Sequence, residues 1–205
     1  MTDVLSYAPI AAAAFAVPQF LPQVRKLRAT LDTAGLSWSW AALTTINNAA
    51  WAGYFTLSRD WTALLPSCSV TLLAGMLSIM LTRRQQPAPR QWAATIACAA
   101  ALATAYAIAG RVGLGTLLTA ASAVQVAPSI WTAYRTARPS GVSAGTWTLI
   151  LGELACFLIF GLYKSDPRLI ALGITGVSSS TLMLARVYWA GRVWQQFAPD
   201  PQSRR

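Results

Sequence analysis

Charged residues are so widely spaced along this chain that they divide it into long uncharged stretches. Seven of these run Val4 to Val24, Leu36 to Ser58, Trp61 to Thr82, Gln91 to Gly110, Val112 to Tyr134, Val142 to Tyr163 and Leu169 to Ala185. A helix needs about 20 mostly apolar residues to cross a hydrocarbon core of roughly 30 Å, so each stretch predicts a membrane-crossing helix. Only one charged residue, Glu153, falls inside any of them. Met1-Thr2-Asp3 offers no positive segment ahead of the first stretch, which is therefore expected to remain as a helix rather than act as a secretory signal.

The charges between the stretches alternate in sign density. Arg25, Lys26 and Arg28 follow the first, Arg83, Arg84 and Arg90 the third, Arg135 and Arg138 the fifth, and Arg186, Arg192, Arg204 and Arg205 the seventh, while the other side receives Arg59, Arg111, Lys164 and Arg168. The positive-inside rule then predicts an integral multi-pass protein of a bacterial-type cytoplasmic membrane, with the N-terminus outside and the C-terminus in the cytoplasm. Trp38, Trp61, Trp92 and Trp189 stand near stretch ends, where an interfacial aromatic belt would hold them.

Composition narrows the function classes. Charged residues make up 11% of the chain, against roughly 25% in a soluble domain, and mean hydropathy is +0.46. The net charge of +10 is distributed between apolar stretches rather than gathered in a patch, so no nucleic-acid partner is expected. The chain has no His, which excludes His metal sites and Ser-His or Cys-His relays. Cys68, Cys98 and Cys156 lie far apart in apolar runs and predict buried thiols rather than a disulfide framework. No metal and no cofactor is expected.

Shifting the sequence by 106 superposes Gln19 on Gln125, Pro22 on Pro128, Thr30 on Thr136, Gly35 on Gly141, Ser37 on Ser143, Leu43 on Leu149, Ala49 on Ala155 and Asp60 on Asp166. The Pro, Gly and Asp matches fall at structural punctuation: a helix-ending proline, a loop glycine followed by a small polar cap, and an acidic residue beyond the next helix. A three-helix unit ends on the opposite side from its start, yet both copies carry their basic segment after the first helix. One additional helix must return the chain. The expected architecture is an all-α membrane protein of seven helices in a 3+1+3 order: a first repeat at 1-82, a linker and inversion helix at 83-111, a second repeat at 112-189 and a cytoplasmic tail at 190-205, with a pseudo-twofold axis along the membrane normal.

Pro22-Gln23, a basic segment, Gly35-Leu36-Ser37, Trp51 with Tyr54, and Asp60 together resemble the PQ-loop motif of the SWEET and SemiSWEET sugar transporters, a group whose wider membership includes lysosomal cystine and cationic amino acid exporters. The resemblance covers residues 5 to 82 and 112 to 189. In the second copy Pro128-Ser129 replaces Pro-Gln, and Phe157 stands where the first has Trp51. It implies a transporter with a pocket between the repeats and a polar residue one turn before the Trp, the position of Asn47. Sugar-transporting members carry an Asn on the third helix of each repeat; Ser67 and Gly173 stand there, and neither supplies an amide's paired donor and acceptor.

Asn47 and Glu153 lie at the middles of their stretches and superpose under the shift, as do Trp51 and Phe157 four residues on. An i, i+4 spacing puts each polar residue and its aromatic on one helix face, and mid-bilayer polar groups mark cavities by default. Asn47, Trp51, Glu153, Phe157 and Ser67 are thus the candidate solute-binding residues; the bland alternative for Asn47, Asn48 and Glu153 is interhelical hydrogen bonding. Glu153, with no Lys or Arg in any span, is also the proton-coupling candidate. Pro22, Gln23 and Pro128 are gate or hinge candidates, because a proline removes one helical hydrogen bond; the alternative is a plain helix end. Pro18, unmatched at Val124, makes the first helix the more breakable.

One buried carboxyl without a partner acid, His or nucleophile does not supply hydrolytic chemistry, so no enzyme is expected. The function predicted is alternating-access transport of a small polar solute, a sugar or a cationic or zwitterionic amino-acid-like metabolite, at a midplane site between the repeats. The rival is a non-transporting receptor or scaffold with the same fold. The expected partners are the solute and the bilayer, and Ala-rich faces such as Ala11 to Ala14 permit a homo-oligomer.

Overall fold

The computed structural model describes Leu5 and residues 7–197, with side chains as far as Ala190. Val4, where the first predicted stretch begins, and residues 198–205 of the expected tail lie outside the described residues. The helices are α1 (Ala8–Ala16), α2 (Leu21–Thr30), α3 (Trp38–Ser58), α4 (Trp61–Gln85), α5 (Pro89–Arg135), α6 (Ala144–Lys164) and α7 (Pro167–Phe197). Among the described residues there is no strand. Four helices, α4, α5, α6 and α7 as far as Ala190, are long and apolar enough to cross a membrane, and they mark an all-α membrane protein.

The remaining predicted stretches depart from simple spans for identifiable reasons. The first is broken. Pro18 lacks an N–H, the chain turns through Val17–Phe20, and a second helix restarts at Leu21. That helix runs on to Thr30, so Arg25, Lys26 and Arg28 sit on a helix and not in a loop. Helix α3 carries Thr44, Thr45, Asn47 and Asn48, which lower its hydropathy; Thr44 and Asn47 are buried against protein rather than lipid. Helix α7 continues past Ala190, so the predicted tail begins as helix.

Helix α5 absorbs two predicted stretches. Its 47 residues would span about 70 Å if straight, more than twice a hydrocarbon core. Ala109 (φ −126°, ψ 16°) and Gly110 (φ 55°, ψ −144°) are not helical, and only a residue without Cβ adopts the Gly110 conformation freely. A Cβ on Gly113 would collide with the Ala105 carbonyl and approach Ala109 Cβ to 2.7 Å. Residues eight apart in a straight helix are separated by about 12 Å of rise, so the chain doubles back at this break.

Helices α3 and α6 are structural twins at the 106 offset. Both have 21 residues, and both begin at a serine whose Oγ accepts a backbone N–H three residues on: Trp40 N for Ser37 and Thr146 N for Ser143, each at 3.3 Å. Both end in a left-handed residue, Arg59 (φ 59°) and Ser165 (φ 51°), whose N–H returns to the last helical carbonyls. Helix α4 packs on α1 and α3, and α7 on α5 and α6; across these groups α1 and α2 meet α6, while α5 meets α3. Two apolar clusters form the core. One, nearer the basic end, contains Phe20, Leu27, Trp38, Trp40 and Trp147; the other contains Trp51, Tyr54, Phe55, Phe157 and Phe160.

Three sequence expectations are corrected. Trp38 is no interfacial anchor: it is 2% exposed, its Nε1 donates to Thr82 Oγ1 at 2.8 Å and its ring meets Trp92 at 4.5 Å, whereas Trp61, Trp92 and Trp189 are exposed as a belt requires. Cys68 is exposed, Cys98 and Cys156 half-buried, and all three are free thiols. Arg186 is more than a loop charge. It is buried, its Nε donates to Ala133 O at 3.2 Å and one Nη donates to Thr136 O at 2.8 Å and Ala137 O at 3.3 Å, closing the C-terminal carbonyls of α5. Arg186→Met is expected to destabilise the detergent-purified protein by about 3 kcal/mol, read as a lowered midpoint of thermal unfolding, with Arg186→Lys recovering only part of the loss.

Candidate functional site

Between the two apolar clusters lies a cavity of about 80 Å³. The break in the first stretch opens α1 from α2 at the depth where Gln19 and Phe20 reach this cavity, and α3 to α7 supply the other walls. Irregular backbone inside a bilayer is tolerated where it borders a cavity or protein, which accounts for the break being placed here. Six aromatic residues, Phe20, Trp40, Trp51, Phe55, Trp147 and Phe157, line it with a single ionisable group, Glu153.

Half of the lining obeys the internal offset. Gln19 and Gln125, Phe20 and Val126, Thr44 and Ile150, Asn48 and Leu154, and Trp51 and Phe157 are all 106 apart and all face the same cavity. The polar pairs repeat as well. Asn47 Nδ2 donates to Gln125 Oε1 at 2.8 Å, and at the related position the Gln19 side chain lies beside the Glu153 carboxyl. Gln125 Nε2 donates onward to Thr44 Oγ1 at 3.0 Å; Ile150, the counterpart of Thr44, offers Gln19 no such acceptor.

Of the candidate solute-binding residues, Trp51, Ser67, Glu153 and Phe157 line the cavity and Asn47 does not. Asn47 is 1% exposed, and its amide also donates to Ala121 O at 3.1 Å, so its N–H groups serve the α3–α5 contact; Asn48 lines the cavity in its place. Gly173 is occupied elsewhere, with its Cα facing Leu158 of α6 so closely that a Cβ would lie 2.5 Å from Leu158 Cβ. Trp51 is 3% exposed and its Nε1 has no protein partner. Sequence reasoning did not name Gln19, Gln125, Thr44, Trp40, Trp147 or Phe55 as site residues. For the two glutamines the signal was present, since they are uncharged amides within spans that superpose on one another.

The gate candidates differ from one another. Pro22 is the second residue of α2, where its missing N–H had no helical partner, so it starts a helix rather than weakening one. It packs on α6, 3.3 Å from where a Cβ on Gly145 would stand. Pro128 lies inside α5 without a break in helical backbone. Gln23 ties α2 to the segment before α6: its Nε2 donates to Gly141 O at 2.9 Å and its Oε1 accepts from Ser143 N at 2.8 Å. Ser129, its counterpart, is too short for this, and Gln85 at the end of α4 performs the related task by donating to Leu36 O at 3.0 Å and accepting from Trp38 N at 3.1 Å.

Around Gln23 the loops preceding α3 and α6 form a clasp. Lys26 Nζ donates to Val142 O at 2.7 Å, Gly141 N to Ala34 O at 2.9 Å, and Ser140 Oγ to Asp32 Oδ2 at 2.6 Å. Gly35 has φ +81° and lies so near Pro139 that a Cβ would come within 2.6 Å of the proline Cβ. Below the clasp Trp40 stacks on Trp147 with centroids 5.2 Å apart and planes at 25°. At the opposite end Phe55 stacks on Phe157 at 6.0 Å and 11°. Trp40 and Phe55 are separated by about 22 Å along α3, so each end of the cavity has its own aromatic pair.

No protein-family model matches this sequence, and no curated protein aligns with it.

Gln125→Leu strands the Asn47 amide and the Thr44 hydroxyl, and a loss of about 1–3 kcal/mol is expected in thermal or denaturant unfolding. The clasp gives a second expectation. The Ser140 hydroxyl, helped by the Ala34 N–H, holds the Asp32 carboxyl below its ordinary value. A depressed carboxylate stabilises the fold above the ordinary carboxylate range and loses that contribution as pH falls through its lowered value. The difference in melting temperature between wild type and Asp32→Asn should therefore be greatest near neutral pH and close on acidification.

Proposed function

We propose that this protein is an alternating-access carrier of a small polar solute, a sugar or a cationic or zwitterionic metabolite, built from two like-facing three-helix repeats joined by an inversion helix. In this reading α1 with α2, α3 and α4 form one repeat, the two arms of α5 are the inversion helix and the first helix of the second repeat, and α6 and α7 complete it. The helix pairings support it: each third helix packs on the other two of its own repeat, and the first helix of each repeat meets the second helix of the other. The N-terminus is assigned outside and the basic end to the cytoplasm. The PQ-loop resemblance of Pro22-Gln23 and its surroundings points the same way.

The observation that carries the proposal is the cavity between two apolar clusters, half of whose lining consists of residues 106 apart. A carrier needs one site that either end can reach in turn, and such a site belongs where two related halves meet. Opening toward the basic end requires release of the Gln23, Lys26 and Asp32 contacts and separation of Trp40 from Trp147. Opening the other way separates Phe55 from Phe157, with Tyr54, whose hydroxyl is 3.5 Å from Asp166 Oδ2, moving away from the start of α7. The helix termini at both ends are capped independently of these contacts, so a repeat can move as a unit. Glu153 is the group through which a proton or a cationic solute would be coupled.

Reconstitution into proteoliposomes tests this. Saturable uptake of a labelled solute above that of protein-free vesicles is expected, with Glu153→Gln lowering the rate about tenfold or more and flattening its pH dependence. Retained pH dependence in Glu153→Gln removes the coupling role. If no solute from a panel of sugars, amino acids and amines enters faster than into empty vesicles, the carrier reading fails and a receptor or scaffold stands.

A further inference from the structure

The cavity holds more information about its occupant than the word solute conveys. Among the described residues no Lys or Arg lines it, and its one ionisable side chain is the carboxyl of Glu153, 6% exposed. A zwitterion brought here would leave its own carboxylate without a cationic partner in a low-dielectric site, which is strongly unfavourable. The start of α2, a helix N-terminus near the wall, offers Pro22 among its first residues, which has no N–H to donate. Against this, the aromatic side chains of Trp51, Phe157, Trp40 and Trp147 line the void, and aromatic rings attract a cation.

We propose that the site binds a small organic ammonium without a carboxylate, held by the Glu153 carboxyl and the aromatic side chains that line the void. This rests on the carrier reading for its purpose but not for its chemistry. Calorimetric titration of the purified full-length protein in detergent with choline, tetramethylammonium, glycine and glucose tests it. Choline should bind saturably, and glycine and glucose should not compete. Glu153→Gln should weaken choline and tetramethylammonium about tenfold or more. Unchanged thermal unfolding in each variant excludes loss through misfolding, and Phe157→Leu provides a second probe of the aromatic wall should Glu153→Gln fail to fold. Preferential binding of glucose or glycine, or choline binding indifferent to these substitutions, overturns the proposal. Binding of choline without its uptake into vesicles would remove the carrier reading and leave this assignment intact, while uptake of a sugar unaffected by choline would do the reverse.

Discussion

The controlling constraint in this molecule is that a polar group within a bilayer must find its partner inside the protein. The amides and carboxyl of the spans obey it through related pairs, Asn47 of α3 with Gln125 of α5, and Gln19 in the turn before α2 with Glu153 of α6. These pairs stand at the same depth because the chain repeats at an offset of 106. The polar layer they make separates the two aromatic clusters, and a void at that layer is bounded by polar groups whose hydrogen-bonding capacity is not exhausted.

The differences between the halves matter as much as their likeness. Thr44 and Asn48 in α3 correspond at the 106 offset to Ile150 and Leu154 in α6, and Asn47 to Glu153. One wall is therefore neutral and hydrogen-bonding, the other apolar with one acid. The first stretch is broken at Pro18 while its twin around Val124 runs through as helix. The clasp is similarly lopsided. Gln23 of α2 ties the loop before α6, but the loop before α3 is held by Gln85 at the end of α4.

Close packing joins the helix groups that α4 and α7 organise. Gly152 of α6 lies against Phe15 of α1, and Gly115 of α5 lies against Tyr54 of α3 and Arg168 of α7. Beside these tight approaches, the ends of the cavity carry loop hydrogen bonds and the stacked pairs Trp40–Trp147 and Phe55–Phe157. A bilayer supplies no hydrophobic drive between helices, so such packing and polar contacts hold them together.

Much of this was legible from residue order alone. The uncharged stretches located the helices because charge at mid-bilayer is costly, and the 106 offset located the serine caps of α3 and α6 because capping is a local interaction between residues three apart. Glu153, Trp51 and Phe157 were identifiable as cavity residues from depth and helical periodicity. Tertiary structure alone decided that Asn47 turns to Gln125 while Asn48 meets the void, that Pro22 begins a helix, that Trp38 is buried on Thr82 and that Arg186 closes α5. The placements of Asn47, Trp38 and Arg186 each depend on a partner forty or more residues away, and a chain's own periodicity carries no record of which distant group will lie opposite once the helices pack.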